Sequence, residues 1–242
     1  LGDHFDIHCG GVDNMFPHHE NEIAQSKCAT GQKFVNYWLH SEFLLVDGEK
    51  MSKSLGNFYR ISDLKDLGFS AESIRYQLLS GHYRTKILFS VDKKHESDKI
   101  VQRMTNFHFL LKRNNAGQLS DGSFPGAYED FKASMNDDLD TPRALAIFLE
   151  WMKAVNKRIT DVRITDTELG QAWAFLTSFN SIFGFVKEGE LDIPDEIQIL
   201  LNSRRQARNE KDWARSDALR TTLRKHGWKV EDTQYGQKLK KA

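Results

Sequence analysis

The run DGEKMSKSLGN, residues 47–57, holds two lysines, Lys50 and Lys53, among small polar residues. Two cations on a short segment that can close and reopen suit something anionic. A solvated turn is the commoner meaning of lysines so placed, so the pair gains weight only from its company. Upstream, in PHHENE, His18 and Glu22 are four apart and share one face of a helix. Imidazole and carboxylate are both zinc donors, but two fall short of the three protein ligands of a catalytic site or the four of a structural one. Most H-x-x-x-E pairs are surface neighbours. Cys9 is a tempting third donor, yet nothing in the spacing aims its thiol at His18. Gly10, Gly11 and Asp13 complete the set. Glycines let backbone approach a ligand closely, and an Asp accepts from ribose hydroxyls at the end of a strand. An ordinary tight turn uses the same residues.

These side chains need a frame. Residues 4–9 alternate as a strand and run into the glycine turn. PHHENEIAQSKCATG is expected as a helix, with Pro17 in its first turn and Gly31 closing it. FVNYWLHSEFLLV is expected as one strand ending at the turn Asp47-Gly48. Strand, helix and strand followed by the lysine loop make an α/β pattern. From about residue 61 the pattern turns helical. SAESIRYQLLSG has Ser70 as N-cap and ends at Gly81. Residues 93–113 form a long polar helix carrying Ile100, Met104, Phe107 and Leu111. Residues 114–126 have linker composition. Leu145, Phe148, Met152, Val155 and Ile159 then make a bundle seam, a theme repeated by Leu169, Trp173, Leu176, Phe179 and Phe183. KEGELDIP is a second linker. The expected divisions are 1–60, an α/β part with the lysine loop; 61–113, a helical region; 114–190, a helical bundle; and 191–242, a small mixed α/β end.

The chain has 242 residues, 39% of them hydrophobic, which is enough for real cores. Its 34 basic and 34 acidic residues balance, so no uniformly basic coat exists, although a local basic face remains open. Two cysteines, Cys9 and Cys28, make no disulfide framework, fit a reducing cytoplasm, and are expected as small packing residues. No apolar run approaches membrane-spanning length. The chain opens directly on a strand pattern, so it is expected to be the downstream part of a longer protein.

Charge is segregated at the carboxyl end. Residues 197–242 carry twelve basic groups against five acids, a net charge of +7, with Trp213, Trp228 and Tyr235 interleaved. Cations that meet phosphates and aromatic rings that stack on splayed bases point to RNA. Arg204, Arg205, Arg208 and Trp228 are the candidate contacts. A solvated helical face over core tryptophans is the bland alternative.

Taken in order, FDIHCGGVDNMFPHHENEIAQ, YWLHSEFLLVDGEKMSKSLGN, RYQLLSGHYR, MNDDLDTPRAL and RRQARNEKDWARSDALR resemble the cysteinyl-tRNA synthetases, a family of class I aminoacyl-tRNA synthetases, over nearly the whole chain. The resemblance implies the carboxyl-side part of a Rossmann-type catalytic domain, then a region touching the tRNA stem, a helical bundle, and an anticodon-binding domain. It implies ATP, with Mg2+, and cysteine as substrates and cysteine tRNA as partner. It places Lys53, assisted by Lys50, on the α-phosphate, and Gly10, Gly11 and Asp13 on the adenosine. It gives His18 and Glu22 to a Zn2+ ion whose other protein ligands, two cysteines, lie upstream, with the substrate thiolate completing the shell. Zinc prefers thiolate to a serine hydroxyl, so such a site needs no editing.

The family's H-x-G-H motif does not occur in the sequence. The isolated chain is therefore expected to be inactive without the amino-terminal half of the nucleotide fold. Two further readings are a cysteine-dependent ligase of thiol biosynthesis, which shares the lysine loop and zinc pair, and a non-catalytic tRNA-binding module. The basic end disfavours the ligase, and the intact site motifs disfavour the module.

Overall fold

The computed structural model describes residues 2–52, 54–186, 195–210, 212–233 and 236–241. Lys53, Tyr235 and the expected linker at 187–194 lie outside them. The chain forms two compact units, Leu1–Val186 and Lys187–Ala242.

In the larger unit, strand β1 (Phe5–Gly11) pairs in parallel with β2 (Val35–Ser41), with Ile7 opposite Tyr37 and Cys9 opposite Leu39. Helix α1 (Glu20–Thr30) makes the crossover, and Gly31 ends it in the left-handed conformation, φ 72°. Residues 12–14 form a short 3-10 turn, Phe16 is extended, and Pro17–His19 form a wider helical turn that runs straight into α1, so the helix opens at Pro17 as expected. The single strand expected over 34–46 is two. At Glu42–Phe43 the backbone leaves β1 and bonds the segment around β5 instead, through Glu42 N–H to Tyr83 O (2.8 Å) and Ile87 N–H to Phe43 O (3.2 Å). Strand β3 (Leu44–Val46) then pairs antiparallel with β4 (Glu49–Lys50) and parallel with β5 (Ile87–Phe89).

Short helix α2 (Ile61–Asp66) and α3 (Ala71–Leu79) follow the lysine loop, and Ser70 caps α3 by accepting from Ser73 N–H. Helix α4 (Lys94–Arg113) buries Met104, Phe107 and Leu111, as its spacing requires. The expected linker holds a short helix, α5 (Ala116–Leu119), and α6 (Ala127–Asn136) comes before the seam helices. Those are α7 (Thr141–Thr160), capped by Asp140, and α8 (Asp166–Phe183), opened by a Thr165–Glu168 capping box and closed by left-handed Gly184. Phenylalanines dominate the core between them: Phe131, Phe148, Phe175, Phe179 and Phe183 are all buried, and the Phe148 and Phe179 rings stack 3.6 Å apart.

Two polar ties join the sheet end of this unit to its helices. Arg75 donates to Phe183 O (3.1 Å). Asp138 accepts from the Tyr83 hydroxyl (2.6 Å) and pairs with Arg84 (2.5 Å). Asp138 and Leu139 are both left-handed, φ 52° and 58°, at the turn these contacts hold.

The smaller unit comprises α9 (Asp195–Asn209), α10 (Trp213–Lys225) and an antiparallel hairpin of β6 (Trp228–Thr233) and β7 (Gly236–Lys241). Ile197, Leu201, Leu223, Trp228 and Val230 form its core. Among the described residues, no helix is long and apolar enough to cross a membrane.

Candidate functional site

Strand alternation sends His8 and Cys9 to opposite faces of β1. His8 faces α1, and its Nε2 lies 3.1 Å from Glu22 Oε2. The other Glu22 oxygen is 3.4 Å from His18 Nε2. The expected pair is therefore adjacent, with His18 in the helical turn that runs into α1. His18 is largely exposed, whereas His19 beside it is only 4% exposed. His19 Nδ1 is 2.8 Å from His40 Nε2, and its ring lies against His8 and Trp38, each at 4.9 Å between centroids. Burial, and then the neighbouring His8 and His40, hold the His19 pKa below its ordinary value, so this imidazole stays neutral around pH 7.

His18 and Glu22 supply two donors and leave the shell half filled. Donor atoms of His8, His19 and Glu22 lie within 4.8 Å of one another. His8 and His19 went unremarked in the sequence because H-x-C on a strand and the second His of PHHENE have no ligand spacing. Only the fold brings them to Glu22.

Gly10 and Gly11 belong to the end of β1 rather than to a free turn. Gly10 is packed against His19: a Cβ on it would sit 2.5 Å from Cε1 and 2.9 Å from Nε2 of that ring. Asp13 is exposed one turn on. On the other face, Cys9, Gly10, Leu39, Ser41, Leu78 and Tyr83 help to line a cavity of about 440 Å3 at the carboxyl ends of β1 and β2. The expectation that Cys9 and Cys28 are buried packing residues is corrected, because both thiols are exposed. Cys9 borders that open cavity, and Cys28 lies near the carboxyl end of α1 with its side chain exposed.

In the lysine loop, Asn57 organises the backbone. Its carboxamide accepts from Ser52 N–H (2.8 Å) and donates to Lys50 O (3.3 Å). Gly56 is left-handed at φ 70°, and the Ser52 hydroxyl accepts from Leu55 N–H (3.2 Å). Lys50 is exposed, with its ammonium 4.5 Å above the Phe43 ring. Lys53 lies outside the described residues.

The smaller unit divides the four candidate RNA contacts. Trp228 is 4% exposed among Leu201, Leu223 and Val230, so the expectation that it stacks on a base is corrected. It opens a strand whose inward position needs a large apolar side chain. Arg204 is also wholly buried, and it donates to the Gln237 carboxamide inside the unit. Arg205 is exposed. Arg208 is half-buried, with its guanidinium 5.4 Å from the centre of the Trp213 ring, which is 57% exposed. Trp213 follows Asp212, whose carboxylate caps α10 through Arg215 N–H (3.0 Å), so the cap holds the ring at the first turn.

Comparisons with known proteins agree along the length of the chain. Residues 1–99 match the model of the class I (C) tRNA synthetase catalytic domain, 130–187 the DALR domain, and 191–238 the cysteinyl-tRNA ligase anticodon-binding domain. A cysteine–tRNA ligase of Chlamydia abortus is 40% identical over 247 residues, covering 100% of this chain and 52% of that protein. One from Brachyspira hyodysenteriae is 39% identical over 253 residues, with 100% and 53% covered. The chain thus spans about half the length of the relatives it matches. Among solved structures, the Agrobacterium radiobacter K84 agnB2 LeuRS in ternary complex with tRNA and LeuAMS shares the fold: TM-score 0.60, 17% identity, 74% of this chain and 25% of that one.

Proposed function

The chain belongs to the cysteine–tRNA ligase family, and from that premise we propose that it supplies the carboxyl-side half of an enzyme that activates cysteine with ATP and transfers it to the 3′ end of cysteine tRNA. The observation that carries this reading is the state of the β1–β2 sheet. Parallel sheets are normally covered on both faces and carry several strands. Here Ile7 is 55% exposed and Tyr37 67%, side by side on paired strands. The amino-terminal half of the family's nucleotide fold, added to β1, would cover such a face and bring the missing H-x-G-H.

In that assembly Lys50 and Lys53 neutralise the triphosphate, whose Mg2+ arrives with ATP. Gly10 and Gly11 let the adenosine approach the carboxyl ends of the strands, and Asp13 accepts from its ribose. His18 and Glu22 would hold the zinc together with the two upstream cysteines, and the ion would supply selective affinity for a thiolate. Glu22 is already oriented by the two imidazoles on either side of it. Exposed Arg205 and Trp213, with half-buried Arg208 beside the ring, offer cation and ring surface for the tRNA. The anticodon-domain match at 191–238 argues against the thiol-biosynthesis ligase, which has no use for an RNA module.

The test adds the missing half in trans. The chain alone should bind tRNA, more weakly as salt rises, and should show no cysteine-dependent exchange of pyrophosphate into ATP. Exchange should appear when a polypeptide carrying the upstream half is mixed in. Robust exchange by the chain alone would refute the division of the active site, and absence of salt-dependent tRNA binding would refute the role of the basic end.

A further inference from the structure

The lysine loop hangs from a two-residue turn, and a line of hydrogen bonds through one buried carboxamide ties that turn to the helices. We propose that Gln77, which supplies the carboxamide, is a positioning residue for the loop: acting through Ser90 and Asp47, it fixes the root from which Lys50 and Lys53 reach the triphosphate. The inference rests on the activity proposed above and adds to it a residue outside the lysine motif.

Gln77 is a polar side chain at a core position. Ile74 and Leu78, its neighbours on α3, pack with Leu64, Phe69 and Phe89, and Gln77 itself is 4% exposed. A carboxamide buried there is costly unless both of its ends are satisfied. Oε1 accepts from Ser90 N–H (3.1 Å), and Nε2 donates to the Ser97 hydroxyl (2.9 Å). Ser97 is buried near the start of α4, and its hydroxyl donates to Lys93 O (2.7 Å). A backbone N–H can only donate, so the amide has one orientation and every hydrogen in the line is accounted for.

The line continues into the lysine hairpin. Ser90 directly follows β5, the strand that pairs with β3. Its hydroxyl donates to Asp47 Oδ1 (2.8 Å), and Asp47 N–H donates to Phe89 O (3.1 Å). Asp47 and Gly48 make the turn between β3 and β4, both left-handed at φ 51° and 90°, as a tight hairpin requires. Strand β4 ends at Lys50, whose carbonyl is held by Asn57 across the loop. A buried network with its partners satisfied is rigid, and a loop that must close on a ligand and reopen needs a root that stays still.

Cysteine-dependent exchange of pyrophosphate into ATP is measured, per active site, on the chain joined in trans by the upstream half. Gln77→Met keeps the length of the side chain and removes both amide ends. It should lower kcat by about 10–100-fold through misplacement of the lysines and leave the KM for cysteine unchanged. In a Lys50→Ala background the same change should cost much less, because the cation being positioned is gone; multiplicative losses overturn the proposal. Ser90→Ala, which cuts only the link to Asp47, should act in the same direction, and Asp47→Asn, which keeps an acceptor and tolerates the left-handed turn, should restore parent rates where Asp47→Ala does not. In the chain alone, the amides of Asp47 and Ser52 should exchange with deuterium about 2–10-fold faster in Gln77→Met, while those in the middle of α4 keep parent rates. A complemented parent without exchange activity refutes the proposed function, and loop amides that exchange at the parent rate in both Gln77→Met and Ser90→Ala overturn the anchor whatever the activity.

Discussion

Gly10→Ala is the sharpest perturbation of the histidine cluster. The new methyl carbon would lie 2.5 Å from His19 Cε1 and 2.9 Å from Nε2. Carbon atoms rest about 3.5–4.0 Å apart, so the ring must retreat by on the order of 1 Å. It has nowhere to go: the His8 and Trp38 rings lie at 4.9 Å and Nδ1 is held by His40 at 2.8 Å. Overpacking of this kind costs about 1–3 kcal/mol. Straining the His19–His40 bond adds about 0.5–1.5 kcal/mol. A net loss of about 2 kcal/mol, seen as a lower melting temperature of the β1–β2 pair, is the expected outcome. Gly11→Ala is the matched control. Its methyl group would meet only the Asp13 carboxylate, the free end of an exposed side chain, and the change should stay within about 0.5 kcal/mol. Thermal melts of both variants separate the two positions. A Gly10→Ala chain that melts with the parent would refute the wedge between strand and ring.

Three other outcomes follow from the same coordinates. In Gly170→Ala, the added carbon would strike Leu119 O and sit 2.8 Å from its carbonyl carbon, so α5 and α8 must separate; about 1–3 kcal/mol should vanish from urea-measured stability, and an unshifted midpoint refutes the close approach. The Tyr83 hydroxyl, and then Arg84, hold the Asp138 carboxyl below its usual pKa. A depressed carboxylate contributes stability above its unfolded pKa of about 3.9 and loses it as pH falls through the lower folded value. Asp138→Asn should therefore flatten the acid limb of the stability curve below about pH 4, and coincident limbs for parent and variant would sink the assignment. Trp213→Ala should weaken tRNA binding by about 1–3 kcal/mol with little change in melting. Trp228→Ala should do the reverse, unfolding the small unit at a cost of about 3–5 kcal/mol; filter binding beside thermal melts distinguishes them, and equal effects would refute the assignment of one ring to the surface and the other to the core.

The helical half was legible because periodicity reports directly on burial. Phe148, Met152, Leu169, Leu176, Phe179 and Phe183 were all expected inside, and all are. Ser70, which caps a helix, and left-handed Gly31, which closes one, act locally, so they too can be read from sequence. What escaped depended on distant partners. Strand β5 is a three-residue segment after SGHYR, too short for a pattern, and it exists because β3 offers an edge. The break at Glu42–Phe43 is invisible in an apolar run because what changes there is the bonding partner. At the site, His18 and Glu22 could be paired from a spacing of four, whereas His8 joins Glu22 only through the parallel crossover. The two tryptophans of the basic end look alike in sequence. One begins a buried strand and the other the exposed turn of a capped helix, and only tertiary packing separates them.

The phenylalanine core also ranks the parts of the larger unit by how readily they open. Backbone amides in α7 and α8 lie beneath rings of at most 2% exposure, including Phe148, Phe175, Phe179 and Phe183, and exchange with solvent deuterium only when that whole helical assembly comes apart. The β1–β2 pair has only two strands and carries half-exposed Ile7 and Tyr37, so its amides exchange through small local openings. Warming or mild denaturant therefore dissolves the histidine cluster while far-ultraviolet ellipticity, dominated by the helices, still reads as native. A protease presented with such a preparation cuts first near residues 5–41, and the helical remainder persists as a resistant core.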